Sequence, residues 1–223
     1  IDELVPRSKF SETVEKRALE ISEKSTRPLG EKGIELTDLF KELDKDSITY
    51  ENISISLDRQ SGIVYITIKG PSEDLPMDPE SIAKLGDKYW PLALARDLDD
   101  AIIHLSFNEL ELGTWVFRSV GDIDSVADVD DILIKNKDHW LINEIIQYLK
   151  RVLKRLDLAS RSLVTLVEPG SCFAGTLLEL VFAADRSYML DGTLQDSSDS
   201  PAVLRTTKMN FGNLPMCNDI TRL

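Results

Sequence analysis

Hydrophobic positions recur with a helical period in four parts of the chain. Apolar residues spaced three or four apart form one face of each segment, and charged residues occupy the other face. Pro91 falls inside the third segment, where it should kink the helix or restart it. The first predicted helix begins near the N-terminus and is capped by Ser8 or Ser11. The other three are predicted over 34–43, 81–98 and 140–156.

Alternating and continuous apolar runs predict strands between these helices. Two alternating runs flank a turn that contains Gly62, which is typical of a β-hairpin. Continuous apolar runs bounded by turn residues indicate buried strands. The predicted strands are 53–57, 63–69, 101–107, 114–120, 162–167 and 187–190, and 122–137 reads as an acidic, irregular stretch with a short helix over 126–134. The pattern as a whole is that of an α/β protein.

The stretch 162–190 organises the rest of the prediction. A short apolar run is followed by a turn of small residues over 170–176, and then by a helix over 177–184 that is apolar almost all round. A strand, a tight turn and a buried helix direct free backbone N–H groups from the helix N-terminus toward one point. Such a point can stabilise an oxyanion that develops during a reaction.

Composition and charge narrow the classes of function. The 223 residues carry a net charge of -13, which argues against nucleic acid and anionic membrane surfaces as partners. Cys172 and Cys217 lack metal-ligand spacing, and two histidines are too few for a histidine-rich metal site. We therefore expect a reduced, cytoplasmic protein without a metal or another cofactor.

A cluster of acidic residues near the end of the third predicted helix has two interpretations. Asp97, Asp99 and Asp100 could bind a metal ion, but carboxylates at a helix end are more often solvated. We therefore predict solvated surface charge at these three positions.

The strand, turn and helix around Glu179 and Asp185 resemble the matching stretch of the crotonase (enoyl-CoA hydratase/isomerase) superfamily. The resemblance implies that two backbone N–H groups hold the thioester oxygen of an acyl-CoA substrate. One donor falls at Thr176, beside Gly175. The other falls between Leu112 and Thr114, around Gly113, and Glu179 is the implied general base.

Two departures from the superfamily pattern bear on the chemistry. The usual run of glycines is reduced to Gly175, and Lys208 stands where a second glutamate is expected, although Gly212, Pro215 and Arg222-Leu223 match. Because hydratases of the superfamily use two glutamates for proton transfer, the resemblance does not imply an ordinary enoyl-CoA hydratase.

A narrower resemblance is to the family of benzoyl-CoA-dihydrodiol lyases. It is carried by segments spread over most of the chain, of which Glu168-Pro169-Gly170-Ser171-Cys172-Phe173-Ala174-Gly175-Thr176 is the most specific. The family's implied reaction adds water to 2,3-epoxybenzoyl-CoA (which the family's name describes as 2,3-dihydro-2,3-dihydroxybenzoyl-CoA), opens the ring and gives 3,4-dehydroadipyl-CoA semialdehyde and formate in aerobic benzoate degradation.

The same resemblance implies the organisation of the chain. The fold would be α/β, a crotonase-like spiral of ββα units that is incomplete at the C-terminus and preceded by an N-terminal helical segment. Residues 1–45 would be the helical tail of a preceding crotonase-like module with a linker, and 46–223 a second, truncated module. We expect an internal fragment, inactive alone, of a homo-oligomeric enzyme.

Three interpretations of the site stay open. In the first, Thr176 and a donor near Gly113 polarise the thioester while Glu179 moves protons. In the second, this module is non-catalytic and serves packing or oligomerisation. In the third, Ser171 or Cys172 is a nucleophile, and here a buried structural cysteine is the favoured alternative.

Overall fold

A computed structural model describes residues 1–26, 32–72, 75–193 and 200–223. These residues form two compact units, which divide after Gly33. Most of the predicted linker, residues 25–30 within the N-terminal segment 1–45, and most of a polar loop predicted over 191–200 lie outside the described residues. None of the described helices is both long enough and apolar enough to cross a bilayer.

The first unit contains one helix, α1 (Phe10–Glu23), after a 3₁₀ turn over Arg7–Lys9. The helix itself is confirmed, but the predicted caps are wrong. The N-cap is Lys9, which makes no side-chain cap, because Ser8 lies in the 3₁₀ turn and Ser11 inside the helix. Arg17 holds the helix to the preceding segment through Glu3 at 2.9 Å.

The second unit is built on a seven-stranded mixed sheet whose spatial order follows the sequence. The first four strands are antiparallel and the last three join in parallel. The strands are β1 (Lys41–Leu43), β2 (Ser47–Tyr50), β3 (Ile53–Asp58), β4 (Ile63–Lys69), β5 (Thr114–Val120), β6 (Ser162–Val167) and β7 (Arg186–Met189). The β3–β4 hairpin and the strand β5 are confirmed.

Helices make the connections between the parallel strands and cover the apolar face of the sheet. They are α2 (Pro79–Leu85), α3 (Trp90–Asn108), α4 (Ile123–Lys135), α5 (Trp140–Asp157) and α6 (Gly175–Ala183), with short 3₁₀ turns at Gly86–Lys88 and Lys208–Asn210. Pro91 sits in the first turn of α3, where its missing N–H costs nothing, so the predicted restart is confirmed. The α/β class is confirmed.

The predicted strand over 101–107 is wrong, because this run is the last part of α3. Ala101, Ile102 and Leu105 are buried at helical spacing, whereas Ile103 and Phe107 are 40% and 75% exposed. A short apolar run fits a helix or a strand equally well, and here the long apolar face of the preceding turns extends the helix.

The predicted helix over 34–43 is also wrong. This segment is extended and ends in β1. Its conformation is fixed by distant groups: Thr37 donates its hydroxyl to the buried Asp87 carboxylate at 2.8 Å, and Arg96 pairs with Asp87 at 2.7 Å. The stretch 122–137, predicted to be irregular with a short helix over 126–134, is instead a regular helix, α4, from Ile123 onward. Asp122 caps it by accepting a hydrogen bond from the Ser125 N–H.

The acidic residues of α3 are not solvated charge, so that prediction is wrong. Each reaches a different element. Asp97 accepts two hydrogen bonds from Asn52, Asp99 pairs with Arg155 at 2.6 Å, and Asp100 pairs with Lys41 at 2.6 Å. Three partners in three directions hold the helix to the sheet and to α5. Among the described residues, no group of side chains could hold a metal ion.

Candidate functional site

The turn between β6 and α6, where the sequence predicts the reactive centre, has most of its N–H groups bound within the protein. Ser171 donates to the Glu168 carbonyl at 2.9 Å, and Cys172 donates to the Ser119 hydroxyl at 3.0 Å. Gly175 donates to the Arg205 carbonyl at 2.9 Å. These three N–H groups are therefore already bound to protein acceptors and are not free to bind a substrate.

Thr176 is the predicted oxyanion donor, and its N–H points at a carboxylate. It donates to Asp130 Oδ2 at 2.9 Å, and its hydroxyl donates to Asp130 Oδ1 at 2.5 Å. Thr207 adds a third hydrogen bond, at 2.7 Å. Asp130 is 1% exposed. An internal anion thus occupies the place where a thioester oxygen would accept the Thr176 N–H.

Gly175 is what allows this carboxylate to approach. A Cβ at this position would lie 1.6 Å from Asp130 Oδ2 and 2.4 Å from the Thr207 hydroxyl. The residue also has φ of +39°, which side chains rarely adopt. Gly175 therefore makes room for Asp130, and no such role was predicted for it.

Burial raises the pKa of Asp130 to about 6, although the hydrogen bonds from Thr176 and Thr207 favour the charged form. An isolated aspartate titrates near 3.8. Because the folded state binds this proton more tightly than the unfolded state, the stability that it contributes is lost as the pH rises from about 4 to about 6. Asp130 is thus a pH-dependent element of the fold.

We predict that Asp130→Asn removes this dependence. Between pH 4 and pH 7 the free energy of unfolding of the parent chain should fall, relative to the variant, by about 2 kcal/mol, since each pKa unit corresponds to about 1.4 kcal/mol and the unfolded aspartate is already partly ionised at pH 4. Urea unfolding of both proteins at the two pH values measures the difference. A constant difference between them would show that Asp130 does not titrate in this range.

Gly113 and Thr176 are not brought together. Gly113 precedes β5, and its carbonyl accepts from the Ser162 N–H at 2.9 Å, which places it at the start of β6. Thr176 lies beyond the other end of β6, a strand of six residues, about 20 Å long. The cause is the misassigned run 101–107, because a helix there places Gly113 at the N-terminal ends of the parallel strands, whereas Thr176 follows the C-terminal end of β6.

Glu179, the predicted general base, is held in a buried network. It is 1% exposed, accepts from Asn210 Nδ2 at 2.7 Å and pairs with Arg222 at 2.9 Å. Arg222 also forms two hydrogen bonds to Asp157, at 2.8 and 2.6 Å. Burial raises the pKa of Glu179, and the bonds from Asn210 and Arg222 oppose it. The carboxylate is neutralised by a cation that joins the C-terminal segment to α6.

Lys208 does not take the place of the second glutamate. It is exposed and begins a 3₁₀ turn, whose third residue, Asn210, is the one that meets Glu179. Asp130 and Thr207 were missed, since a single Asp or Thr has no sequence signal until its partner is known, and Asn210 was matched only as part of the Asn210-Phe211-Gly212 motif. Arg222 was matched only as part of an Arg-Leu motif.

The two candidate nucleophiles have structural contacts. Ser171 accepts from the Glu168 N–H at 3.0 Å, which fixes the turn. Cys172 is fully buried, and burial raises the pKa of its thiol, which disfavours the reactive thiolate.

A cleft of about 280 Å³ lies at the C-terminal ends of β5 and β6. Of the predicted site residues, Ser171 alone lines it among the described residues. The other described lining residues are Gly121, Asp122, Ile123, Gly170 and 200–203. Thr176 and Glu179 face the buried networks instead.

Comparison with known proteins identifies a relative. No protein-family model matches the chain. The chain is 41% identical over all of its 223 residues to a benzoyl-CoA-dihydrodiol lyase from Aromatoleum evansii, and it spans 39% of that protein's length.

Solved structures are similar to parts of the chain at low identity. An enoyl-CoA hydratase/isomerase from Xanthobacter autotrophicus matches 62% of this chain and 46% of its own, with 14% identity and a TM-score of 0.41. An enoyl-CoA hydratase from Bacillus anthracis matches 61% of this chain and 46% of its own, with 14% identity and a TM-score of 0.40. Along its whole length the chain is similar to part of a benzoyl-CoA-dihydrodiol lyase, the family predicted from its motifs.

Proposed function

We propose that this chain is part of a lyase that opens the ring of a benzoyl-CoA derivative. The support is its 41% identity to a benzoyl-CoA-dihydrodiol lyase. In the proposed reaction, 2,3-epoxybenzoyl-CoA and two molecules of water give 3,4-dehydroadipyl-CoA semialdehyde and formate. The proposal includes an acyl-CoA substrate, a preceding crotonase-like module, a cytoplasmic homo-oligomer and no cofactor.

For this segment we propose the non-catalytic role, packing or oligomerisation. The single observation that carries it is the Thr176 N–H, which donates to the buried Asp130 carboxylate at 2.9 Å. An anionic thioester oxygen at the same N–H would have to displace that carboxylate and overcome its repulsion, in a site of low dielectric. A site prepared for an oxyanion needs free donors instead.

The contacts of Glu179 support the same role. A general base needs a carboxylate that can reach substrate and exchange a proton near neutral pH. Glu179 is paired with Arg222 and hydrogen-bonded to Asn210 on the inside of the protein. These contacts attach the last residues of the chain to α6, which is a stabilising role.

We predict that this chain, when folded, does not bind benzoyl-CoA in preference to free CoA. Calorimetric titration with each compound, together with a thermal-shift assay, measures this, and a cooperative thermal transition shows that the chain is folded. Equal and weak heats with the two compounds are the expected result.

Selective binding of benzoyl-CoA would contradict the non-catalytic role. Thr176→Pro, which removes the N–H, then identifies the donor. If the folded variant lost the thioester, Thr176 would be an oxyanion donor, and Asp130 would have to move when the substrate binds. Gly113→Pro, at the other end of β6, is the matched control and should leave such binding unchanged.

A further inference from the structure

The outer face of the sheet carries a row of hydroxyl groups. In the register of β2, β3 and β4, Thr49 is opposite Ser54 and Ser54 is opposite Thr67, while Arg118 of β5 is opposite Thr67. Residues opposite each other lie about 5 Å apart on one face. A second row adds Ser47, Ser56 and Tyr65.

These two rows line a groove of about 410 Å³. Its side chains alternate with the core residues, such as Ile53 and Ile66, that point to the opposite face. No carboxylate lines the groove among the described residues, although the chain as a whole has a net charge of -13. The groove is therefore a local exception to the acidic surface.

Arg118 is the cation of this groove, and Tyr65 and Glu168 hold its side chain in position. Its guanidinium carbon lies 5.4 Å from the centre of the Tyr65 ring, and its Nε lies 3.4 Å from a Glu168 carboxylate oxygen. Among the described residues, the buried Nε of this guanidinium has no hydrogen-bond partner, and its pairing with Glu168 is an ion pair at longer distance. Stacking fixes the plane of the group, and its donors are left for a ligand.

We propose that this groove binds a carboxylate or phosphate group. The guanidinium of Arg118 supplies a planar pair of donors, which matches two oxygens of either anion. The hydroxyls of Thr67 and Ser54, next in the register, donate to the remaining oxygens. The site lies on the outer face of the sheet and involves neither Thr176 nor Glu179, so it stands independently of the function proposed above.

Phosphate and acetate titrations of the full chain, followed by backbone amide NMR at constant ionic strength, test the proposal. Saturable shifts at Ser54, Thr67 and Arg118 are expected. Arg118→Met should weaken binding by about tenfold or more, which corresponds to losing one charge-assisted contact. Glu168→Gln should strengthen it, because Glu168 competes for the same guanidinium.

Arg151→Met is the matched control. Arg151 also stacks on a tyrosine, with its guanidinium carbon 4.5 Å from the Tyr148 ring centre, but it lies outside the hydroxyl rows. Binding should be unchanged in this variant. Saturable shifts with phosphate alone would identify a phosphorylated ligand, and shifts with both probes a site that also accepts carboxylates. Shifts that never saturate, or that persist in Arg118→Met, would overturn the proposal.

Discussion

Gly175→Ala is expected to lower the free energy of unfolding by about 3 to 5 kcal/mol. The new methyl group would lie 1.6 Å from Asp130 Oδ2 and 2.4 Å from the Thr207 hydroxyl, at a residue whose φ is +39°. Both contacts are inside the buried cluster that closes the start of α6, so the neighbours have little room to move. Urea unfolding monitored by circular dichroism gives the value.

Gly113→Ala is the control for this change. Nothing lies within 4 Å of a Cβ at Gly113, and its φ is not in the positive region, so the cost should stay under about 1 kcal/mol. Combining Asp130→Gly with Gly175→Ala should cost less than the sum of the two single changes, because the clashing carboxylate is gone in the double variant. Equal losses at Gly113 and Gly175, or strict additivity, would show that Asp130 does not fill this space.

Arg222→Met is the second change with a large expected effect. It leaves Glu179, whose side chain is 2% exposed, and Asp157 without their common cation. Removing one partner of a buried ion pair costs about 3 to 5 kcal/mol, because the remaining charge stays desolvated. The same urea assay at pH 7 measures it, and the loss should shrink at low pH, where Glu179 becomes protonated.

An exposed arginine provides the comparison for Arg222. Arg205 pairs with Asp124, but the two side chains are 47% and 74% exposed, so Arg205→Met should cost about 1 kcal/mol or less from the ion pair. Combining Arg222→Met with Glu179→Gln should cost less than the sum of the single changes, since the two residues share one interaction. Strict additivity would mean that Glu179 and Arg222 are not coupled.

These stability predictions bear on function because they concern the groups that contact the two predicted site residues, Thr176 and Glu179. If Asp130 and Arg222 are required for folding, then the Thr176 N–H and the Glu179 carboxylate are committed to the structure of this segment. The thioester chemistry proposed for the whole protein would then be carried out by other parts of it.

The sequence by itself predicted the elements whose pattern is local. The helix predicted over 140–156, α5 in the structure, has an apolar face long enough to exclude a strand, and the hairpin around Gly62 combines alternation with a turn residue. From β6 through α6 the predicted strand, turn and helix agree with the structure, and the same segment contains the family motif. Such features depend on residues within one or two turns of each other.

Tertiary structure decided everything that depends on distant partners. The run 101–107 fits a helix or a strand by itself, and its packing as part of α3 selected the helix and placed Gly113 at the N-terminal end of β5, away from Thr176. Asp130 and Thr176 are 46 residues apart, and Arg222 and Glu179 are 43 apart. The sequence position of a carboxylate does not reveal which group it will pair with in the folded protein. Whether a backbone N–H is free for a substrate or bound to an aspartate is therefore settled only when the chain is folded.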